Sequence, residues 1–247
     1  MNNKIDITMT ATLRPEIIER TLSTFKQNLF KNHPCRLIIN IDPVGLDVKP
    51  MEIVDLCGRY FREITFNIAQ QPSFPKAFIW TWQQVETDYL FHLEDDWCLL
   101  REVDLQKMLD LMEKHKDLAT LRLSAKPSNK DNCKSWNKFL PWNGEFFECP
   151  ENLIRTIGMS GHPSLIRGRF VKRTIVHLDD RSNPEKQFHH FGHMPIMQEV
   201  FKWRYGLFMG REEPKQIQDI GQRWLIDTDF RKNGPNKAFF TVWERKE

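Results

Sequence analysis

Three consecutive carboxylates, Glu94, Asp95 and Asp96, follow an apolar run that begins at Tyr89. The run is typical of a buried strand, whereas three ionised acids are too costly to bury without partners. We expect the acids to lie where the strand leaves the sheet, since open α/β sheets bind their ligands outside the carboxyl ends of the strands. Adjacent carboxylates suit Mg²⁺ or Mn²⁺, ions that also hold substrate phosphates. The alternative interpretation is a solvated acidic turn after a strand.

The composition is that of a chain with enough apolar residues for a substantial core. Of its 247 residues 40% are hydrophobic, and the formal net charge of +3 does not by itself indicate a nucleic-acid partner. Five scattered cysteines without CxxC spacing indicate reduced thiols rather than a disulfide framework or a zinc site. We see no signal-peptide pattern and no apolar run near the ~20 residues of a membrane span. We therefore expect a cytoplasmic protein without a transmembrane segment.

Strand-like and helix-like segments alternate through the first hundred residues. Their order, β-α-β-α-β-α-β, predicts a mostly parallel sheet with right-handed crossovers, and hence an α/β fold. The apolar spacing predicts strands at 5–10, 36–41, 64–67 and 89–93, and helices at 15–30, 50–61 and 76–85.

The second half of the chain has a less regular pattern. Residues 146–147 and 153–157 are interpreted as a small antiparallel edge, residues 124–144 as a long polar segment and residues 216–224 as a loop. Helices are predicted at 103–115, at 170–177, in a stretch that starts at 183, and at 197–204. Strands are predicted at 118–123, 163–167, 205–209 and 238–243.

Several of these segments resemble the GT-A fold nucleotide-sugar glycosyltransferases, close to the GT2-type group. The resemblance rests on the order and spacing of the motifs over most of the chain, and it implies a single GT-A domain over 1–247, with a nucleotide-sugar half (1–100) and an acceptor half (101–247). The motifs are Thr10-Ala11-Thr12-Leu13-Arg14-Pro15-Glu16, Asp42 at the end of the second strand, the DxD-like Glu94-Asp95-Asp96-Trp97, Pro163–Arg167, Asn183–Phe188 and Asp219-Ile220-Gly221.

The resemblance implies a Mn²⁺ or Mg²⁺ cofactor that stabilises the departing nucleoside diphosphate. Asp96 is the expected direct ligand, Glu94 a direct or water-mediated one, and Asp219 replaces a histidine that family members often carry in the closing loop. Residues expected to bind the nucleotide sugar are Thr10, Thr12, Arg14, Asp42, Lys76 and Asp95. For each of them an ordinary structural role, such as a strand-end or turn residue, is the alternative.

An inverting transferase needs a general base for the acceptor hydroxyl. The resemblance favours Glu185, with Glu199 as the second candidate, and it implies that Trp97, His162 and Ser164 border the acceptor site. The cluster His189, His190 and His193 lacks the paired cysteines or His-Glu-x-x-His helix of a zinc site, so surface or acceptor-site histidines are favoured.

The leading hypothesis is a metal-dependent transferase that moves a sugar from a nucleotide-diphosphate donor to a hydroxyl acceptor, either a glycan or a modified nucleic-acid base. A sugar-nucleotide nucleotidyltransferase is an alternative, although residues 11–15 lack the glycines of that class's phosphate loop. A third hypothesis is a non-catalytic module that binds sugar or nucleic acid. The basic tail would suit nucleic acid through Arg231, Lys232, Lys237, Arg245 and Lys246.

Overall fold

A computed structural model describes residues 4–127, 139–189, 192–211, 213–233 and 242–245. The strands are β1 (Ile5–Leu13), β2 (Cys35–Gly45), β3 (Glu63–Ile68), β4 (Tyr89–Glu94), β5 (Trp97–Leu99), β6 (Leu118–Arg122), β7 (Phe147–Glu148), β8 (Ser164–Arg167), β9 (Arg204–Leu207), β10 (Ile217–Asp219), β11 (Phe230–Asn233) and β12 (Val242–Arg245). The helices are α1 (Pro15–Asn28), α2 (Pro50–Gly58), α3 (Phe74–Gln83), α4 (Leu105–Lys114), α5 (Ile154–Ile157), α6 (Gly168–Thr174), α7 (Pro184–Gln187), α8 (Met194–Val200) and α9 (Gly221–Asp227), with 3₁₀ turns at Glu151–Leu153 and Ile175–His177.

The main sheet has the strand order β3-β2-β1-β4-β8-β6-β9-β7. Strands β1 to β4 pair in parallel, as the alternation of strands and helices predicts. Strand β8 runs antiparallel to both of its neighbours, β4 and β6, while β6 and β9 are again parallel. The predicted α/β class with a mostly parallel central sheet and antiparallel strands in the C-terminal half is confirmed.

The sheet separates two apolar layers, because successive residues of a strand point to opposite faces. In β4, Phe91 packs with Phe25 and Phe30 on the side covered by α1, α2 and α4. Its neighbour Leu90 belongs to the other layer, with Trp82 of α3. Helix starts follow local signals: α1 begins with Pro15, and the Ser73 and Asp104 side chains cap α3 and α4.

Two predictions for the second half are wrong. Residues 153–157 are not an antiparallel edge, because they form the end of a 3₁₀ turn and α5, whose Ile154 and Ile157 are buried at a helical spacing of three. Strand β7 pairs with β9 instead. Residues 216–224 are not a plain loop, since β10 pairs antiparallel with β5 and α9 begins at Gly221.

Within the described ranges, no helix is long and apolar enough to cross a membrane. Residues 128–138, which include most of the predicted polar segment 124–144 and Cys133, lie outside the described residues. So do His190, Lys237, Lys246 and most of the predicted strand 238–243, of which residues 242 and 243 belong to β12.

Candidate functional site

A cleft of about 290 Å³ opens at the carboxyl ends of β1, β2 and β4. These strands are parallel neighbours, so their ends meet at one edge of the sheet. The cleft brings together predicted residues from distant parts of the chain: Thr10, Thr12, Arg14, Asp42, Glu94, Asp95, Asp96 and Glu185. Its apolar walls include Phe74, Phe78, Met159 and Phe188.

Asp95 is the buried member of the three acids and ties β4 to the start of α1. Its Oδ2 accepts hydrogen bonds from the Thr12 backbone N–H at 2.9 Å and the Thr12 hydroxyl at 3.2 Å, and its carboxylate forms an ion pair with Arg14. Thr21 of α1 donates to the Asp95 carbonyl at 2.7 Å. These contacts explain how a carboxylate with 4% exposure is accommodated in the fold.

The Arg14 guanidinium bridges two of the acids. It pairs with Asp95 and lies 3.2 Å from Oδ2 of Asp96, while Trp224 of α9 lies under it with the ring centroid 5.3 Å from Cζ. Burial acts to lower the pKa of Arg14, but the two carboxylates raise it above its ordinary value. Arg14 therefore stays charged and offsets part of the negative charge at the cleft.

Glu94 and Asp96 are the two acids that remain partly exposed to the cleft. Oε2 of Glu94 accepts a hydrogen bond from the Trp97 indole N–H at 3.3 Å. The described residues contain no group of three histidine, cysteine or acidic side chains that could hold a metal ion. Mg²⁺ and Mn²⁺ nevertheless need only one or two protein carboxylates when substrate phosphates and waters complete the shell, and Glu94 and Asp96 fit that donor set.

The segment from Asp219 to Gly221 closes over Asp96. The Ile220 N–H donates to the Asp96 carbonyl at 2.8 Å, and a Cβ at Gly221 would lie 2.1 Å from Asp96 Oδ2. Oδ1 of Asp219 accepts from the N–H groups of Gly221 and Gln222, at 2.8 and 3.2 Å, and so caps the start of α9. Asp219 is not among the residues that line the cleft. Its contacts are those of a helix cap, and its contact with a metal ion stays a prediction.

Asp42, at the end of β2, is held by a polar network that sequence reasoning missed. Asn40 donates to its Oδ1 at 2.9 Å, the Ser73 N–H donates to its Oδ2 at 3.0 Å, and Asn67 donates to the Asn40 side chain at 2.6 Å. Burial, with a smaller contribution from Asp95, raises the pKa of Asp42 to about 6 despite the hydrogen bonds from Ser73 and Asn40. The Asn-x-Asp spacing at a strand end is the sequence signal that points to it, because residues i and i+2 share a face.

Glu185 lines the same cleft from the first turn of α7, which Asn183 caps. Its Oε1 accepts from the Gly161 N–H at 3.2 Å. An ideal Cβ at Gly161 would be 3.5 Å from Glu94 Oε1 and 4.0 Å from Glu185 Cδ, so Gly161 lies between the two carboxylates. The second candidate base, Glu199, is on α8 and pairs with Lys202 and Arg173, away from the cleft-lining residues.

The predicted acceptor residues lie beside the cleft rather than on its lining. Trp97 is buried and makes an edge contact with His162, with ring centroids 5.0 Å apart. Burial, and then the nearby Arg122, lower the pKa of His162 to about 4, so it is neutral at neutral pH. Ser164 is buried in β8, in register with His92 on one side and Arg122 on the other. Arg122 is a buried cation near Glu185 that the sequence did not single out.

The remaining predicted positions are spread over the surface and the core. Lys76 is exposed in the first turn of α3 and does not line the cleft. His189 is buried and donates from Nε2 to the Met159 carbonyl, whereas His193 contacts the His177 carbonyl at 2.6 Å. These contacts account for both histidines without a metal.

Neither protein-family models nor curated protein sequences give a match to this chain. Solved structures do. TarS of S. aureus matches with a TM-score of 0.61 and 11% identity over 86% of this chain and 36% of that chain. The 1–349 fragment of TarS in complex with UDP matches with a TM-score of 0.59 and 12% identity, over 85% and 59%.

A mannosyltransferase from Pyrobaculum calidifontis, in complex with GDP-Man and Mn²⁺, matches with a TM-score of 0.51 and 8% identity over 83% of this chain and 55% of that chain. The chain has the fold of these solved proteins, in agreement with the predicted GT-A fold. It spans between 36% and 59% of the length of these solved chains. At such low identities the likeness shows the fold alone.

Proposed function

We propose that the protein is a glycosyltransferase that moves a sugar from a nucleoside-diphosphate donor to a hydroxyl acceptor. The observation that carries the proposal is that Glu94, Asp96 and Glu185 line one cleft, in which Gly161 lies close to both Glu94 and Glu185. The cleft lies at the strand ends where α/β sheets bind ligands. The fold is shared with proteins solved in complex with UDP, UDP-GlcNAc and GDP-Man.

The nucleotide is assigned to the end of the cleft formed by β1 and β2. Asp42 is fixed by Asn40 and Ser73, so its remaining lone pairs can accept hydrogen bonds from a base edge or a ribose hydroxyl. Thr10 and Thr12 line the same wall. Asp95 holds Thr12 and Arg14 in place, and through them it supports the donor site rather than the acceptor site. Lys76 is assigned to an outer contact with the donor.

We assign Glu94 and Asp96 to a divalent cation, either Mn²⁺ or Mg²⁺, with Asp219 as an outer residue. When bound, such an ion supplies Lewis-acid stabilisation of the charge that develops on the leaving diphosphate. Trp97 restrains the Glu94 carboxylate, and Gly221 and Arg14 restrain Asp96. These contacts orient both carboxylates in advance, which lowers the cost of ordering them on binding.

Glu185 is the proposed general base. Gly161 holds one of its oxygens, which leaves the other to take the proton of an acceptor hydroxyl as that oxygen attacks the anomeric carbon. Attack from the face opposite the leaving diphosphate inverts the anomeric centre. Trp97, His162 and Ser164 shape the region beside Glu185, and the neutral His162 can offer or accept one hydrogen bond there.

The acceptor is proposed to be a glycan or another hydroxyl compound, and the protein is proposed to act in the cytoplasm. Among the described residues, the free cysteines suit a reducing compartment; they are Cys35, Cys57, Cys98 and Cys149. Burial raises the pKa of Cys57 to about 12, which keeps this thiol protonated and unreactive.

A thermal-shift screen of UDP-, GDP-, CDP- and dTDP-sugars, with and without Mn²⁺, tests the proposal. A ligand that binds only the folded state raises Tm, so one donor class should raise Tm, and more strongly with Mn²⁺. Asp96→Asn should remove the Mn²⁺-dependent part, whereas Asp110→Asn, at an exposed site on α4, should not. If no donor raises Tm, the proposal fails. If a donor binds but no nucleoside diphosphate is released with any acceptor or with water, the protein is a binding module.

A further inference from the structure

The second half of the chain carries an exposed surface that the proposed site does not use. Helix α6 and the 3₁₀ turn after it pack along α8 in opposite directions: Arg169 stacks over Trp203, Arg173 pairs with Glu199 at 3.8 Å, and the rings of His177 and His193 lie 6.4 Å apart. We call this surface the α6–α8 face. It comprises Arg169, Lys172, Arg173, Val176, Met194, Phe201 and Lys202.

One end of the α6–α8 face is apolar and open to solvent. Val176 is 73% exposed and Met194 is 70% exposed, and they flank the contact between His177 and His193. Phe201, 44% exposed, lies at the other end of α8. Large apolar side chains that protrude together from a folded protein commonly mark a surface that contacts a partner or a membrane.

The rest of the face is basic. Arg169, Lys172, Arg173 and Lys202 are exposed, and the acid among them, Glu199, is paired with both Arg173 and Lys202. Nearby, Asp179 is paired with Arg181, while Asp180 is exposed. The face therefore keeps an excess of positive charge beside protruding aliphatic side chains. This combination is typical of surfaces that lie in the interface of an anionic bilayer, because cations meet headgroups while apolar side chains enter the acyl boundary.

We infer that the α6–α8 face docks the protein on membranes that contain anionic lipids. The protruding apolar side chains of Val176 and Met194, which carry no ring, favour a bilayer over single-stranded nucleic acid, whose binding sites combine cations with aromatic stacking platforms. The segment that follows Val176 is joined to α7, the helix that carries Glu185. The Gln187 side chain of α7 accepts from the Asp179 N–H and donates to the Asp179 carbonyl, at 2.8 Å each. Docking would thus place Glu185 near the membrane, where a lipid-linked acceptor would be found. That last step rests on the proposed function, whereas membrane binding itself does not.

Co-sedimentation of the whole chain with vesicles tests the inference. The protein should pellet with vesicles of phosphatidylcholine and phosphatidylglycerol, and not with phosphatidylcholine alone. Lys172→Ala should weaken binding about fivefold, the effect of one cation near an anionic surface. The double variant Val176→Glu, Met194→Glu should lose at least about tenfold, because it places two carboxylates at the apolar end. Met51→Glu, at a 46% exposed position on α2, is the matched control and should bind as the original chain does.

The inference is overturned if the original chain does not pellet with anionic vesicles, or if the double variant pellets as well as Met51→Glu does. It is also overturned if duplex DNA binds tightly and competes with the vesicles, and if the same variants weaken DNA binding and vesicle binding to the same extent. Thermal unfolding of each variant checks that it is folded. Hydrolysis of the donor in solution should be equal in all of them, so loss of membrane docking can be distinguished from failure of the proposed transferase activity.

Discussion

Gly221 lies against the carboxylate of Asp96, so closely that a Cβ at position 221 would be 2.1 Å from Oδ2 and 2.9 Å from the Asp96 Cβ. Rotation of the Asp96 side chain does not relieve both contacts, because its Cβ is fixed by the backbone. The segment after β10 therefore determines where the Asp96 carboxylate lies. Asp219 contributes by capping the same turn.

We predict that Gly221→Ala displaces Asp96 and impairs donor use without unfolding the protein. A displacement of about 1 Å at a reacting group can lower kcat/KM by roughly 100-fold. The Mn²⁺-dependent rise of Tm with the donor should shrink in parallel. Gly58→Ala is the control, since a Cβ there meets nothing within 4 Å. Equal donor turnover in the two variants would show that Asp96 has no role at the site.

The buried pair of Arg14 and Asp95 yields a prediction about stability. In Arg14→Met, Asp95 would remain buried without its cation, and this typically costs about 3–5 kcal/mol of the free energy of unfolding. Arg59→Met breaks the exposed contact with Glu19, 3.4 Å long, and should cost under about 1 kcal/mol. Urea denaturation of both variants measures the difference. A similar loss in both would mean that Asp95 is not held by Arg14.

Asp42 should make stability depend on pH. Its pKa is raised from 3.8 to about 6 in the folded state, so the folded chain binds a proton more tightly than the unfolded chain does. Stability should therefore fall as the pH rises from about 4 to about 6, and this loss then persists at higher pH. Asp42→Asn should lack this fall in stability between about pH 4 and pH 6. Urea denaturation of the original chain and of the variant at several pH values measures the difference.

The same titration affects binding. If the ionised Asp42 accepts hydrogen bonds from the nucleotide, the affinity for the donor should decrease below about pH 6. Asn40→Ala removes a hydrogen bond to the Asp42 carboxylate. It should weaken binding of the nucleotide sugar by about 0.5–1.5 kcal/mol. Affinity that is constant across this pH range, with an unaffected Asn40→Ala, would remove Asp42 from the nucleotide site.

The strand ends show what the sequence was able to predict. Thr10, Asp42 and Glu94 each follow a clear apolar strand, and parallel pairing of β1, β2 and β4 necessarily brings those ends to one edge. The motif Asn183–Phe188 alone predicts a role for Glu185, and Glu185 lines the same cleft. Local sequence patterns, together with the rules of parallel sheets, are therefore sufficient to predict that these strand-end residues lie close together.

The rest depends on contacts between segments that are far apart in sequence. Nothing local indicates that Asp95 would be buried by Arg14, or that Asn67 would support Asn40 across β2 and β3. The short apolar run 153–157 suits a strand as well as a helix, and burial of Ile154 and Ile157 together in the sheet's second layer decides for the helix. The sequence predicts a loop at residues 216–224 because strand β5, which pairs with β10, has only three residues and gives too weak a signal.

The two candidate bases make opposite predictions for activity. Glu185→Gln removes the proposed proton acceptor from the cleft and should lower kcat by about 10²- to 10⁴-fold while donor binding is retained. Glu199→Gln changes a carboxylate that is paired with Lys202 and Arg173 and should leave kcat nearly unchanged. NMR of the product should show an inverted anomeric centre. Retention of configuration, or the reverse order of effects, would exclude Glu185 as the base.

A crystal structure of the protein grown with Mn²⁺ and the nucleoside diphosphate of the preferred donor tests the proposed metal and diphosphate site. We predict anomalous density for one Mn²⁺ ion bound by Asp96, with Glu94 in direct contact or through a water, and the diphosphate in the cleft beside Thr12. A nucleotide bound elsewhere on the chain, or a diphosphate in the cleft with no metal ion at Asp96, would contradict it.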